Sequence, residues 1–326
     1  MKNKKLAVIV DDAYVNNAIA QQSLPTDSTL KPTSDLINNL KDYFMLEDMM
    51  FLTPETAMSN DHPFELSGEE GDKIKTSDEN VDKLQTDSML IFSVNSRSPK
   101  FSYDYLASQY DTYGRLTDRV NQFLNPLHAK RMIDKKYLHH LMPGKEHVFP
   151  EQYNFEGWNS LYDIVEENGI VVLKHRMGAE GEQVYLLDSD NFDEIQRKIA
   201  HEVKDYVAQE FIQADYEKRL IIFGDEIVGG RIINKRNHPW EKPDQVKQGY
   251  SKKAYEPTKP ETELAIELHK ASNLDYSAVD FIGNSEQQKI LEINGICPGL
   301  TSRTGDGGIV YSLNPKFAEF LYHRTN

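Results

Sequence analysis

The chain has 326 residues, 37 lysines and arginines against 52 aspartates and glutamates, a formal charge of −15 and a single cysteine. A length of this order holds about two or three domains and a core that needs no staples. The lone Cys297 excludes a disulfide framework or a multi-cysteine zinc site, and the acid excess excludes a general nucleic-acid coat, which needs a basic surface.

Leu6–Val10, preceded by lysines and followed by Asp11-Asp12, predicts a first β-strand and is too short for a signal peptide. Ser34–Met50 has Leu36, Leu40 and Phe44 at helical spacing. From Thr53 to Ser88 ten acids face three lysines, so this segment carries −7 of the −15. It lacks a sustained apolar period and reads as a long surface insertion. Met89–Phe92 is a short apolar run, a buried strand, which makes the first third strand–helix–insertion–strand, the start of an α/β domain. A second unit begins near Asn125-Pro126. Arg131–Met142 predicts a helix stopped by Pro143-Gly144. Ile170–Arg176 and Gln183–Leu187 are strands around a glycine-bearing loop, Asp193–Tyr206 is helical, Val207–Ile212 is a strand and Glu261–Asn273 a helix. Asn237–Lys259, with three prolines and many charges, reads as loop. No apolar run approaches the roughly 20 residues of a membrane span, and a reducing, cytoplasmic compartment is the expectation.

Two hairpins bring chemistry together. Val279–Ile282 and Lys289–Ile293 flank the turn residues Gly283-Asn284-Ser285. A hairpin centred near Glu286 sets Asp280 opposite Glu292, with Asn294 beside Glu292 on the same face. Val279, Phe281, Leu291 and Ile293 then face a core. Opposed carboxylates repel, so this oxygen set either holds a hard cation such as magnesium or forms the solvated side of an edge hairpin. In Lys218–Arg236 the turn is Gly224-Asp225-Glu226, and Arg219 faces Arg231. That pair suits a phosphate or carboxylate between the guanidiniums; the competing reading ties both to surface acids. Lys174 ends a strand before Gly178 and Gly181, a loop type that contacts phosphate through backbone N–H groups and also makes ordinary turns. There is no Walker A loop and no G-x-G-x-x-G. His139, His140 and His175 lack a metal-binding pattern, Cys297 reads as a structural thiol, and the Tyr-rich Phe101–Tyr113 as aromatic core.

Read in order, Ile133-Asp134-Lys135, Val172-Leu173-Lys174, Gln209-Glu210-Phe211-Ile212, Glu217-Lys218-Arg219, Arg231, Asp280, Leu291–Asn294 and Pro298-Gly299-Leu300 resemble the ATP-grasp superfamily. The likeness is to the branch of glutathione synthetase and the ligases that add glutamate to a ribosomal-protein C-terminus. It covers roughly 125–300. The resemblance implies an α/β (α+β) ATP-grasp architecture: an N-terminal α/β domain (1–124, with the acidic insertion 53–88), a central lid subdomain (125–212) and a C-terminal subdomain (213–326), sandwiching ATP. It implies Asp280, Glu292 and Asn294 as ligands of Mg2+ (or Mn2+), and Lys135 and Lys174 on the nucleotide phosphates. Gly178 and Gly181 would lie in the loop over ATP, Glu210, Phe211 and Ile212 along the adenine, and Glu217 near the ribose, where the family has aspartate. Arg219 and Arg231 would act on the transferring phosphoryl group, and Arg97 and Arg303 on the substrate. The implied activity is an ATP-dependent carboxylate–amine ligase with an acyl-phosphate intermediate, taking a small-molecule or peptide carboxylate and an amine. A kinase and a non-catalytic nucleotide-binding module are the alternatives. The oligomeric state stays open, many relatives being homo-oligomers.

Overall fold

β1 (Lys5–Ile9) leads into α1 (Asp12–Gln21), α2 (Lys31–Leu40) and β2 (Met49–Leu52), followed by β3 (Phe64–Ser67), β4 (Lys73–Thr76), β5 (Ser88–Phe92) and β6 (Gln122–Phe123). The computed structural model describes residues 5–10, 12–25, 31–45, 49–53, 64–67, 73–76, 88–92, 122–125, 134–176, 183–234, 252–295, 299–304 and 308–325. The first sheet has the order β4-β3-β2-β1-β5-β6, with β2, β1, β5 and β6 parallel and β3–β4 an antiparallel edge hairpin. Two expectations change here. The helix over Ser34–Met50 ends at Leu40, because Met49–Leu52 pairs with β1 and is buried at every position. A strand buried on both faces hides all four side chains, where a helix would hide only a stripe. The acidic segment also contributes two strands, β3 and β4, to the sheet edge.

The second sheet comprises β7 (Gln152–Tyr153), β8 (Val171–His175), β9 (Val184–Leu187) and β10 (Tyr206–Glu210), ordered β7-β10-β8-β9 and antiparallel throughout. Val171, Leu173, Leu187, Tyr206 and Ala208 pack on α3 (Trp158–Asn168) and α4 (Phe192–Ile199). Strand alternation therefore turns Val172, Lys174, Val207 and Gln209 to the other face. The helix expected to reach Tyr206 stops at Ile199, and Tyr206 is instead drawn into β10 opposite His175.

The third sheet carries β11 (Tyr216–Phe223), β12 (Glu226–Asn234), β13 (Lys252–Ala254), β14 (Tyr276–Gly283) and β15 (Gln288–Asn294), ordered β13-β12-β11-β14-β15. One face presents Leu220, Ile222, Val279, Phe281, Ile290 and Ile293 to α5 (Lys259–Ala271) and to Leu138 and Met142. Each such fully buried side chain is worth roughly 1.5–3 kcal/mol. Leu138 belongs to a 3-10 helix, Lys135–Leu141, within the helix expected over Arg131–Met142, whose first residues lie outside those described. Tyr137 N–H bonds back three residues to the Asp134 carbonyl, 2.9 Å, which sets the tighter turn.

The chain closes with a small hairpin, β16 (Thr301–Arg303) and β17 (Ile309–Ser312), and α6 (Asn314–Thr325). None of these was expected, nor was α1. Phe317, Ala318 and Leu321 of α6 share one hydrophobic cluster with Leu6 and Val8 of β1 and with Ile221, Phe223, Tyr276 and Ala278 of the third sheet. The second face of the third sheet is thus covered at one end. Asn125 pins that junction. Its amide donates to the Tyr276 carbonyl at 2.6 Å and accepts from the Asp275 N–H at 2.6 Å.

Candidate active site

Beyond that covered end, four neighbouring strands carry a row of charges. The register pairs Arg231 with Arg219 across β12–β11, Arg219 with Asp280 across β11–β14, and Asp280 with Glu292 across β14–β15. Directly opposed residues share a face, so two cations and two anions stand side by side. Arg219 Nε and Nη2 donate to the two Asp280 oxygens at 2.6 and 2.6 Å, and Nη2 lies 3.9 Å from Glu292. Asn294 Nδ2 donates to Glu292 at 3.0 Å and to Asp280 at 3.2 Å. A register shift after Asp280 pairs Phe281 with Ile290, leaving Leu291 as the extra residue of a bulge. This corrects one expectation: Ile290 enters the core, and half-buried Leu291 does not. The bulge keeps both Glu292 and the core residues on their proper faces.

The two arginines differ. Asp280 raises the Arg219 guanidinium against the opposing effect of burial. Arg231 is lowered by burial and by the Arg219 charge, and among the described residues its nearest polar partner is the Ser302 hydroxyl at 3.4 Å. Burial pushes up the Asp280 carboxyl, with Arg219 opposing and Glu292 adding to the rise. Burial also works against Glu292, but Lys135, the Asn294 amide and Arg219 outweigh it and hold that carboxyl at about 2. Lys135 therefore reaches the acidic end of the row. Burial lowers its ammonium, and Glu292 and Asp134 raise it.

Lys174 lies on β8, opposite Val207, on the sheet face turned away from α3 and α4. Glu217 is half-buried and two positions before Arg219 on the same strand face. Glu210 ends β10, with its N–H given to the Glu151 carbonyl at 2.8 Å; half-buried Phe211 and buried Ile212 follow outside the strand. Arg303 is exposed at the end of β16. Arg97, Gly178, Gly181, Cys297 and the stretch 101–113 lie outside the described residues. His139 stacks near Phe149 and His175 near Tyr206, each with ring centres 5.2 Å apart.

Two residues were missed by sequence reasoning. Ser302 and Tyr311 face each other across β16–β17. Ser302 is buried beside Arg231, and the Tyr311 phenol, raised by burial and lowered by Arg231 and Arg219, donates to the Gly299 carbonyl at 3.2 Å. A legible signal existed: Gly305–Gly308 is turn-forming and lies midway between the two residues. Gly299 itself has φ +75°, and a Cβ there would stand 3.4 Å from Arg219 Nη1, so a side chain is disfavoured by backbone and by space.

Among the described residues no group of three or more His, Cys, Asp and Glu converges. Two carboxylates and one amide do, all hard oxygen ligands. That set fits a magnesium ion, which takes one or two carboxylates and completes its shell with water and phosphate oxygens.

The fold is the ATP-grasp fold, shared over nearly the whole chain with solved ATP-grasp structures. Residues 154–312 match the family model of the RimK-like ATP-grasp domain. No curated protein matches the chain. Among solved structures, the D-cycloserine synthetase DcsG is similar over 98% of this chain and 100% of its own, at 15% identity and a TM-score of 0.65. The ATP-grasp ligase PsnB, complexed with a phosphomimetic variant of its minimal precursor, Mg and ADP, is similar over 98% of each chain at 14% identity and a TM-score of 0.64. The macrocyclase MdnC from Microcystis aeruginosa MRC, bound with precursor peptide MdnA, is similar over 89% of this chain and 91% of its own, at 15% identity and a TM-score of 0.55.

Proposed function

We propose that the protein is an ATP-dependent carboxylate–amine ligase. The observation that carries this reading is the asymmetry of the arginine pair: Arg219 is neutralised by Asp280, while Arg231 is a half-buried guanidinium with no carboxylate at ion-pair distance among the described residues. A partly desolvated cation beside a like charge favours an anion there. The transferring phosphoryl group is that anion in our reading.

Lys135 and Lys174 would bind the nucleotide phosphates, with Glu217 at the ribose and the backbone of Glu210, Phe211 and Ile212 along the adenine. Asp280, Glu292 and Asn294 would hold Mg2+, or Mn2+ in its place, which would supply positive charge against the phosphate oxygens. A substrate carboxylate oxygen attacks the γ-phosphorus, and the bond to ADP breaks. Arg231 offsets the charge that spreads over the phosphoryl oxygens. An amine then attacks the acyl carbon, the C–O bond to phosphate breaks, and an amide, inorganic phosphate and a proton result. The Ser302 and Tyr311 hydroxyls and Arg231 together offer donors to the acyl phosphate oxygens. Removing one such donor typically costs on the order of 10²–10³-fold in rate.

A peptide carboxylate is the substrate class we favour, supported by the Arg231 guanidinium, which has no carboxylate partner among the described residues, and by the precursor peptides bound in PsnB and MdnC. Arg97 and Arg303 are carried as substrate contacts on resemblance alone. The division at 124/125 and 212/213 is supported by each large sheet lying within one segment, although the cluster joining β1 to α6 crosses between the first and third. Among the described residues no helix is long and apolar enough to cross a membrane, and a cytoplasmic setting with ATP and reduced thiols is part of the proposal.

The test is Mg–ATP-dependent ADP release over a library of amino acids and peptides, with wild type, Glu292→Gln and Arg231→Ala. Substrate-dependent release that both substitutions abolish supports the site. Wild-type turnover in both variants removes it. A stable phosphoester instead of an amide would make the protein a kinase, and nucleotide binding without turnover a non-catalytic module.

A further inference from the structure

Asp134 and Arg176 are 42 residues apart in sequence and join elements that pack on different sheets. Asp134 opens the 3-10 helix whose Leu138 packs with Ile290 and Ile293 of the third sheet. Arg176 directly follows β8 of the second sheet, where its own N–H is held by the Asp205 carbonyl at 2.7 Å. The two side chains form a forked pair: Arg176 Nε donates to Asp134 Oδ1 at 3.1 Å and Nη2 donates to Oδ2. Asp134 Oδ1 also accepts the Lys136 N–H at 3.1 Å, and the Lys135 N–H donates to the Arg176 carbonyl at 3.1 Å.

The consequence falls on Lys135. Its backbone is gripped on both sides, by the Arg176 carbonyl at its own N–H and by the Asp134 carboxylate at its neighbour's. Its ammonium lowers the Glu292 carboxyl on β15 and the His175 imidazole on β8, so its charge is felt from both the third and the second sheet. Neither Asp134 nor Arg176 belongs to a hydrophobic cluster, and Arg176 is about a third exposed, with 30% of its side chain accessible. A pair placed this way adds little packing. It adds geometry, because a guanidinium fork on a carboxylate fixes orientation as well as distance.

We propose that Arg176 is a positioning residue for nucleotide binding, acting through Asp134 to aim Lys135 at the polyphosphate. This rests on the reading of Lys135 as a phosphate ligand. Arg176 touches no nucleotide in this account; it sets where Lys135 starts from.

The test is calorimetric binding of Mg–AMPPNP to the full chain and to Arg176→Gln, Arg176→Lys, Lys135→Ala and the Arg176→Gln/Lys135→Ala double variant, with melting temperatures alongside. Arg176→Gln should bind about tenfold more weakly, the cost of a misplaced contact, while melting within about 2 °C of wild type. Arg176→Lys, which restores the charge without the fork, should recover part of the loss. The double variant should bind no more weakly than Lys135→Ala alone, because the two act as one unit. A merely structural Arg176 would lower the melting temperature and its effect would multiply with that of Lys135→Ala; either result overturns the proposal. So does wild-type affinity in Arg176→Gln when Lys135→Ala is weakened. Wild-type affinity in Lys135→Ala would remove the phosphate role of Lys135 itself, and the positioning role with it.

Discussion

Arg219 lies directly across the β11–β12 ladder from Arg231, yet among the described residues only Arg219 grips a carboxylate, Asp280, through two hydrogen bonds of 2.6 Å. On the proposed reading the same residue type in the same row does two jobs, one in stability and one in chemistry. Replacing each by methionine, which keeps an apolar stem, separates them. Arg219→Met leaves the buried Asp280 unpaired and should cost about 3 kcal/mol in urea unfolding. Arg231→Met removes a like charge and should unfold within about 1 kcal/mol of wild type. Its turnover should nevertheless fall on the order of 10²–10³-fold. Equal stability losses in both would contradict the division of labour.

The Tyr311 phenol offers a milder probe. Tyr311→Phe keeps the ring and removes only the hydroxyl now spent on a 3.2 Å bond to Gly299. Stability should be nearly unchanged, while kcat for ADP release on the substrate found by screening drops about tenfold, with a smaller change in KM. A kcat at the wild-type level would mean that the phenol faces the site without serving it.

Magnesium dependence follows from the oxygen set. In Glu292→Asp the carboxylate is retained but withdrawn by one methylene, so the Mg2+ concentration for half-maximal ADP release should rise while activity at saturating metal is largely recovered. Glu292→Gln should not be rescued by metal, and chelation should stop turnover in all forms. A half-saturation point unmoved by Glu292→Asp would remove this residue from the metal site.

His269 supplies a pH test away from the cleft. It is 2% exposed, its Nδ1 lies 2.8 Å from the Ser277 hydroxyl, and burial lowers it to about 4. Its unfolded value is near 6.5. Between about 6.5 and 4 the unfolded chain takes up a proton that the folded chain refuses. The folded state therefore loses stability as pH falls through that window, on the order of 2–3 kcal/mol. Wild type should be more stable than His269→Gln at pH 7.5, and the gap should narrow or reverse near pH 4.5. A gap independent of pH would mean that His269 is not buried neutral.

The sequence carried both pairings, Arg219 with Arg231 and Asp280 with Glu292, by placing the hairpin centres at Asp225 and Glu286; the turns themselves centre half a residue earlier, and a bulge in each hairpin, at Val228 and at Leu291, brings those pairs opposite each other. It could not show the bulge at Leu291, since an inserted residue leaves the polar positions legible and only exchanges Leu291 for Ile290 in the core. Nor could charge alone sort Lys218 from Arg219. Adjacent on β11, they point to opposite faces. Lys218 is spent on Glu261 at 2.6 Å, over the rings of Tyr216 and Tyr255, at the start of α5. Ser302 and Tyr311 stayed hidden because their placement depends on how β16–β17 folds over Arg231, a contact between segments 71 residues apart. Met49 and Met50, the start of β2, were read as helix because the pairing of that strand with β1 is likewise non-local.

The central claim, that a carboxylate is phosphorylated and then captured by an amine, is tested most directly by following oxygen. The carboxylate substrate identified by the ADP-release screen is labelled with 18O, and the inorganic phosphate formed with its amine partner and Mg–ATP is analysed by mass. The account predicts one 18O in each phosphate, with ADP unlabelled. Unlabelled phosphate, or label carried in AMP, would contradict it.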